Sequence, residues 1–327
     1  MRENQLSRYG AISKFLQYTT GKVFIVKQST DSDYENFQAS FPADGDGVER
    51  VYSTIQSAVT AASINSPIGA VILVMPGEMS AGATDPTSYA ENVIVPAGMS
   101  NLSIIGVQEN RTQGGLPQIK KGSGSLALFT VRSPGTLIKN IGFNGAGSTG
   151  GGILLDDDAS TKSAFGTAII GCHFKNCKGS TATNAATGGA IQWSSNGGAW
   201  QVLIKGNRFY NNVGDVVLLG TGVSVPQDVV IEDNVFGGGA ANDCSIYLAA
   251  GSGVIGLVIR NNNFGNFPIL GSGSNLMYVK LTGCTGTIAS NMFGCTGKTF
   301  GAGADVVVPT TVLMSGNYQE SGLIARS

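Results

Sequence analysis

The sequence predicts an all-β solenoid of the parallel β-helix type, on three observations. An isoleucine is followed five residues later by a phenylalanine in six pairs: Ile138/Phe143, Ile169/Phe174, Ile204/Phe209, Ile231/Phe236, Ile259/Phe264 and Ile288/Phe293. The phenylalanines recur at a nearly regular interval of about 30 residues, and a repeat of this size indicates stacked structural units. From residue 126 onward each repeat also contains two short apolar runs typical of strands. Many of the 48 glycines stand between these runs, where turns use them.

The first 46 residues differ in composition from the repeats, and we interpret them as an N-terminal attachment arm. Five basic residues face a single acidic residue, Glu3, over the first 30 positions, and a short apolar strand, VFIV, spans residues 23–26. The alternative is a frayed tail, which is common at chain termini. The arm residues predicted to bind a partner are Arg2, Arg8, Lys14, Phe15, Lys22, Phe24 and Lys27.

The β-helix domain is predicted to span residues 47–327 and to begin with a capping helix over 51–63. Val51, Ile55, Ala58, Val59 and Ala62 follow one another at three- and four-residue steps, which places them on one helical stripe. A helix at this place can cover the open strand edge of the first coil. The runs at 70–74, 92–95 and 102–105 then predict strands of early, less regular coils.

A corner is predicted inside every Ile-to-Phe step. Side chains alternate along a strand, so residues five apart enter the same core only if the chain turns between them. An asparagine stands two residues before the phenylalanine in four successive repeats: Asn207, Asn234, Asn262 and Asn291. We expect these residues to adopt the left-handed corner conformation and their amides to bond from coil to coil. In the last repeat the asparagine is displaced to Asn317.

The composition excludes several classes of function. A net charge of −1 argues against a general nucleic-acid binder, which needs a basic surface. No apolar stretch approaches the roughly 20 residues that span a bilayer, and the chain starts without a signal-like segment, so folding in a bacterial cytoplasm is expected. The odd number of cysteines, five, predicts free and mostly buried thiols. Without a CxxC pair and with His173 as the single histidine, no metal or other cofactor is expected.

Two groups of carboxylates are candidates for chemistry. Asp156, Asp157 and Asp158 follow an apolar strand and could hydrolyse a glycosidic bond or hold Ca²⁺. Asp215 and Asp243 are separated by about one coil, which would place them about 5 Å from each other. In both groups the alternative is structural, because aspartate is also a favoured turn residue. Asn275 and Asp305 extend the second group.

One histidine and two tryptophans are further candidates for a site. His173 occupies the position that Arg208, Val235, Asn263 and Met292 hold in other repeats, and so varied a set indicates a solvent-facing loop. Trp193 is predicted to point into the core. Trp200 could be exposed and stack on a sugar ring, or be buried.

Together these features resemble the right-handed parallel β-helix of the pectate-lyase-like superfamily, over residues 48–320. The strings GKVFIV at 21–26, DGVERVYSTIQSAVTAA at 46–62 and GAVILVMPG at 69–77 are similar to bacteriophage β-helix proteins encoded beside capsid genes. In that group the resemblance implies attachment through the segment before the helix. The motifs of the superfamily's pectin methylesterases, polygalacturonases and pectate lyases do not occur in this chain.

The sequence and the resemblance lead to one functional expectation and two alternatives. We expect a noncatalytic capsid decoration or cement protein on the capsid surface of a virion, which binds the major capsid protein or another virion protein. The resemblance implies a homotrimer, because decoration proteins commonly sit on three-fold positions. One alternative is a tailspike-type enzyme that cleaves a host polysaccharide, and the other is a glycan-binding adhesin without turnover.

Overall fold

The structure is a computed structural model that describes residues 21–83, 85–108, 115–122, 124–146, 148–179, 185–238, 243–265, 277–294, 306–319 and 322–323. Two helices, α1 (Tyr34–Ser40) and α2 (Ile55–Asn65), lie near its N-terminal end, and a 3-10 turn spans Ala185–Thr187. All other regular structure in these ranges is β-strand.

The strands are short and follow one another at nearly regular intervals. In chain order they are β1 (Val23–Val26), β2 (Val51–Tyr52), β3 (Val71–Val74), β4 (Tyr89–Ala90), β5 (Val93–Val95), β6 (Ser103–Gly106), β7 (Gln118–Lys120), β8 (Phe129–Val131), β9 (Leu137–Lys139), β10 (Gly142–Asn144), β11 (Ile153–Leu155), β12 (Ala168–Ile170), β13 (His173–Lys175), β14 (Ile191–Trp193), β15 (Leu203–Lys205), β16 (Arg208–Tyr210), β17 (Gly214–Leu218), β18 (Val230–Glu232), β19 (Val235–Phe236), β20 (Cys244–Leu248), β21 (Leu257–Arg260), β22 (Asn263–Phe264), β23 (Met277–Leu281), β24 (Gly286–Ala289), β25 (Met292–Phe293), β26 (Val306–Val307), β27 (Val312–Ser315), β28 (Tyr318–Gln319) and β29 (Gly322–Leu323).

The strands assemble into three parallel sheets, and the chain visits the sheets in rotation. The first sheet runs β2-β1-β3-β6-β9-β12-β15-β18-β21-β24-β27. The second runs β4-β7-β10-β13-β16-β19-β22-β25-β28-β29, and the third runs β5-β8-β11-β14-β17-β20-β23-β26. Crossovers between parallel strands of one sheet are almost always right-handed. The predicted fold class, a right-handed parallel β-helix, is confirmed. The pairing of β28 with β29 is antiparallel and ends the second sheet.

The core contains the two predicted columns. The isoleucines of the six pairs are opposite one another in the first sheet, for example Ile169 with Ile138 and Ile204. The phenylalanines form a continuous stack from Phe143 to Phe293, with ring centroids 4.6–5.1 Å apart and planes within 5–14° of parallel. Each of these rings is at most 1% exposed.

The corner between the columns corrects one detail of the prediction. The left-handed residue is the one before the ladder position, which holds Ile141 and Cys172 in the first two of these coils and an asparagine in the other five. The residues with φ near +60° are Asn140, Gly171, Gly206, Asp233, Asn261, Ser290 and Gly316. The ladder asparagines themselves point inward and are buried. Asn317 is also in register, because Tyr318 pairs with Met292. The last repeat therefore keeps the ladder, and the predicted displacement of its asparagine was wrong.

The capping helix begins four residues later than predicted. Val51 and Tyr52 form β2, and helix α2 starts at Ile55 behind Thr54, whose Oγ1 accepts a hydrogen bond from the Ser57 N–H at 3.1 Å. The buried stripe is Ile55, Ala58, Val59 and Ala62, as the periodicity predicted. No helix in the described ranges is long and apolar enough to span a membrane.

Candidate functional site

The three consecutive aspartates follow β11, and all three carboxylates are bonded within the local scaffold. Asp156 forms salt bridges with Arg132 at 2.7 Å and Lys162 at 3.3 Å. Asp158 accepts hydrogen bonds from backbone N–H groups of residues 160 to 162 and from the Thr161 hydroxyl. These donors hold the pKa of Asp158 well below its usual range, with the Thr161 hydroxyl contributing most. A carboxylate of this kind stays ionised and shapes a loop.

Asp157 connects two neighbouring coils. Its side chain is 5% exposed and accepts N–H bonds from Ala159 at 2.8 Å, Ala164 at 2.9 Å and Ala199 at 3.0 Å. Ala199 belongs to the next coil, so this carboxylate joins two successive corner loops. The geometry favours the structural alternative for the 156–158 group over a hydrolytic pair.

The second candidate pair, Asp215 and Asp243, is not in register. Strand β17 pairs with β20, so that Gly214 is opposite Cys244 and Val216 is opposite Ile246. Ser245 is therefore opposite Asp215, and Asp243 lies two positions before Ser245 in the chain. Asp215 is 1% exposed and accepts from Asn212 Nδ2 at 2.9 Å. Asp243 accepts from the Ala185 N–H at 2.8 Å. The expected stacking of the two carboxylates was therefore wrong, because this coil is longer than the spacing between them. Asn275 and Asp305 lie outside the described residues.

The two tryptophans occupy opposite environments. Trp193 is fully buried in the core, as predicted, and its Nε1 donates to the Ala199 carbonyl at 3.3 Å. Trp200 is 41% exposed at a corner of the solenoid, with its Nε1 3.2 Å from Ser224 Oγ.

The described part of the predicted arm, residues 21–46, is integrated into the β-helix. β1 is hydrogen-bonded between β2 and β3 in the first sheet, and Phe24 is 1% exposed in the core. Phe24 therefore cannot serve as a docking side chain while the fold is intact. An apolar strand this short is stabilised by pairing on both sides, which local sequence does not reveal. Arg2, Arg8, Lys14 and Phe15 lie outside the described residues.

The two lysines of this segment pair with nearby aspartates. Lys22 Nζ is 2.6 Å from Asp44 and 2.5 Å from Asp46. Lys27 is 7% exposed and contacts Asp31 at 3.1 Å and Asp33 at 2.8 Å. Both lysines therefore fasten residues 31–46 to the first coil.

The thiols are placed as the sequence predicted wherever the structure describes them. Cys172, Cys177, Cys244 and Cys284 are free and buried, and Cys295 lies outside the described residues. Burial raises the pKa of Cys172 and that of Cys177 to about 12. Among the described residues no cluster of three or more His, Cys, Asp or Glu side chains could hold a metal ion.

A groove on the outer face of the second sheet was missed by sequence reasoning. It has a volume of about 280 Å³. One outward row on its floor runs Gln118, Gly142, His173, Arg208 and Val235, one residue per coil. His173 therefore lies in strand β13, and its expected place in a loop was wrong. The signal was present in the sequence, since four members of this row, Gly142, His173, Arg208 and Val235, directly precede a phenylalanine.

The walls of the groove come from the outward row two residues further on. Lys175 and Tyr210 are neighbours in this row, and Tyr210 is 53% exposed. On the rim, Asp85 accepts from Gln118 Nε2 at 2.6 Å and forms a salt bridge with Lys175. The lining residues include cationic and aromatic side chains but no carboxylate.

Comparisons with known proteins add a fold-level likeness only. No protein-family model matches the chain, and no curated protein matches it. Among solved structures it is similar to a pectin methylesterase from Aspergillus niger, at 13% identity and a TM-score of 0.40, over 90% of this chain and 88% of that one. It is also similar to the Escherichia coli protein YbhC, at 14% identity and a TM-score of 0.45, over 93% of this chain and 80% of that one.

Proposed function

We propose that the protein is a noncatalytic structural component of a bacteriophage virion, of the capsid decoration or cement type. The observation that carries the proposal is that the candidate carboxylates are already bonded to, or buried against, other groups of the protein. Asp156, Asp157, Asp158 and Asp243 are bonded to neighbouring loops, and Asp215 is buried beside Asn212. A polysaccharide hydrolase needs two carboxylates that converge on one open site.

The way the N-terminal region is fastened supports attachment through the residues before β1. Residues 21–46 are held to the first coil by the pairing of β1 and by the salt bridges of Lys22 and Lys27. A force applied to residues 1–20 would therefore be transmitted directly to a strand of the solenoid. In this proposal those residues, with Arg2, Arg8, Lys14 and Phe15, contact the major capsid protein or another virion protein.

The test uses particles of the phage that encodes the chain. Particles carrying the full-length protein, a chain lacking residues 1–20 or a Met292→Lys control are purified by sedimentation and probed with an antibody to the β-helix. Met292 is exposed on the second sheet, far from the N-terminal end. We expect the full-length and control proteins to sediment with particles, and the truncated protein to stay folded but fall at least tenfold in the particle fraction.

Two results would overturn parts of this proposal. A full-length protein that is absent from particles would remove the virion role. A truncated chain that remains on particles at full occupancy would remove residues 1–20 as the attachment segment.

The noncatalytic part of the proposal has its own measurement. The purified protein is incubated with host surface polysaccharide, and new reducing ends or unsaturated products are followed over time. We expect no increase over buffer, whereas an increase proportional to protein concentration would favour the tailspike-type alternative. The glycan-binding alternative places a sugar in the groove beside Tyr210, and Tyr210→Ala tests it by loss of binding to the same polysaccharide.

A further inference from the structure

The first sheet has an apolar row on its outer face, where a solvated sheet would have polar residues. The row consists of residues that are opposite one another on successive strands: Leu137, Ala168, Leu203, Val230, Val258, Thr287 and Leu313. Thr287 is its one polar member. Leu313 is 64% exposed, and the other six side chains of the row are partly exposed.

An apolar ridge runs beside this row, along the corner that leads into the first sheet. Phe165 and Trp200 are neighbours there, because the Gly166 N–H donates to the Trp200 carbonyl at 2.7 Å. They are 40% and 41% exposed. The next coil has the partly exposed Gln227 at this place, and Ile255, which pairs with Gln227, is 45% exposed. We call the row and the ridge together the apolar strip.

The chain itself covers the start of the same outer face. Val71, Leu73 and Ile105 point outward from β3 and β6 but are at most 8% exposed, because Phe41 and Val107 pack over them. Leu137 is the last residue in contact with this cluster. Beyond Leu137 none of the described residues forms such a cover, so the strip continues an interface that exists within the chain.

Charged residues border the strip on the side away from the ridge. The outward row two residues further on is apolar under the cover, at Ile25, Leu73 and Ile105. Beyond the cover four of its seven members are charged, namely Lys139, Lys205, Glu232 and Arg260, and the others are Ile170, Ala289 and Ser315. Glu232 forms salt bridges with Lys205 at 2.7 Å and Arg260 at 2.6 Å. An apolar centre with a charged rim is the usual composition of a protein interface.

We propose that the apolar strip is a self-association surface, and that its occupant is a second copy of this chain lying alongside. The strip presents one side chain per coil, about every 4.8 Å. Another β-helix has the same repeat, so its side chains can interdigitate with the strip over its whole length, whereas a surface without this period would match it only locally. This inference does not depend on the proposed virion role.

The dimensions are sufficient for a specific contact. Together with its bordering row, the strip extends over roughly 30 Å along the axis, six strand spacings, and roughly 16 Å across, five residue rises from Phe165 to Ile170. A pair of copies would then bury about 1,000 Å² in total, which reaches the lower bound for a specific interface.

The test compares two double variants with the same added charge. Leu203→Lys with Val230→Lys places two charges in the middle of the strip. Asn263→Lys with Met292→Lys places two charges on adjacent strands of the second sheet, also facing outward. Light scattering coupled to size exclusion, over a dilution series, gives the mass of each protein. We expect the parent and the second variant at two or three times 33.5 kDa, and the strip variant at the mass of one chain.

A parent protein that is monomeric at every concentration would overturn the proposal, and would mean that something other than a second copy covers the strip. A strip variant that keeps the parent mass would overturn it as well.

A cross-linking measurement keeps the proposal testable if the strip variant does not fold. Val230→Cys and Asn263→Cys are treated in turn with a short bismaleimide under native conditions, with the parent chain as the background. We expect a chain-to-chain product for Val230→Cys alone. Equal product from both variants, or none from Val230→Cys, would contradict the assigned surface.

Discussion

Asn234 donates a hydrogen bond from Nδ2 to Oδ1 of Asn262, one coil further along, at 2.9 Å. The same bond recurs from Asn207 to Asn234, from Asn262 to Asn291 and from Asn291 to Asn317, at 2.9–3.1 Å. Each amide also donates to the carbonyl of an isoleucine in the preceding coil, as Asn262 does to Ile231 at 2.9 Å. The ladder thus satisfies buried polar groups at this corner in the five coils from Asn207 to Asn317 and joins those coils along the axis.

Asn262→Ala is expected to lower the free energy of unfolding by at least about 2 kcal/mol, because it leaves several buried polar groups without partners. The neighbouring Asn263 is exposed on the outer face of the second sheet, and Asn263→Ala should change stability by less than about 0.5 kcal/mol. Urea unfolding of both variants, followed by circular dichroism, measures the difference. Equal stability of the two variants would show that the ladder contributes little.

Phe209→Ala is expected to cost about 3–5 kcal/mol, since it opens a cavity in the middle of the phenylalanine stack. The ring of Phe209 lies 5.1 Å from that of Phe174 and 4.9 Å from that of Phe236. Tyr210 is the next residue but points outward, so Tyr210→Ala serves as the matched control with a small effect. The stack would be unimportant if both substitutions lowered the unfolding midpoint equally.

Glu91→Ala is expected to loosen helix α2 from the first coil, at a cost of at least about 2 kcal/mol. Its two carboxylate oxygens accept the N–H groups of Ile55 and Gln56, both at 2.8 Å, which have no partner within the helix. Glu91→Gln keeps one acceptor and should lose less. Hydrogen exchange of residues 55–65 would report the change locally, and unchanged protection in Glu91→Ala would contradict this role.

The stability contributed by Asp44 should depend on pH in the acid range. The Lys22 ammonium foremost, and then the Val48 N–H, lower the pKa of Asp44 from 3.8 to about 2. A carboxyl with a lowered pKa stabilises the fold fully above its unfolded value and loses that contribution as the pH falls through the folded value.

We therefore expect the difference in stability between the parent and Asp44→Asn to be constant above about pH 5 and to shrink between pH 4 and 2. Thermal unfolding at steps of pH gives this difference, and added salt should reduce it because the pair lies at the surface. Glu49→Gln, which removes an exposed carboxylate outside the ion pair, is the control. A difference that grows as the pH falls would contradict the assigned sign.

The sequence alone was enough to predict which residues form the interior of the solenoid. A core that repeats once per coil forces the same residue type to recur at the same place, so the period of Ile204 and Phe209 could be read directly. The ladder position of Asn262 was visible for the same reason. Trp193 and four of the cysteines were also placed correctly, because large apolar side chains and thiols favour the interior.

Only the tertiary structure decided what lies outside this repeat. The insertion of β1 between β2 and β3 is a pairing over long sequence distances, and a short apolar run does not identify its partners. The register of Asp215 and Asp243 depends on the exact length of their coil, which places Ser245 opposite Asp215. The groove around Arg208 and the strip around Leu203 arise from outward residues that are far apart in the chain and meet only when coils stack. Inward positions must fit the core, so their residue types recur periodically in the sequence. Outward positions gain their neighbours, and thereby their chemistry, only from the register in which the coils stack.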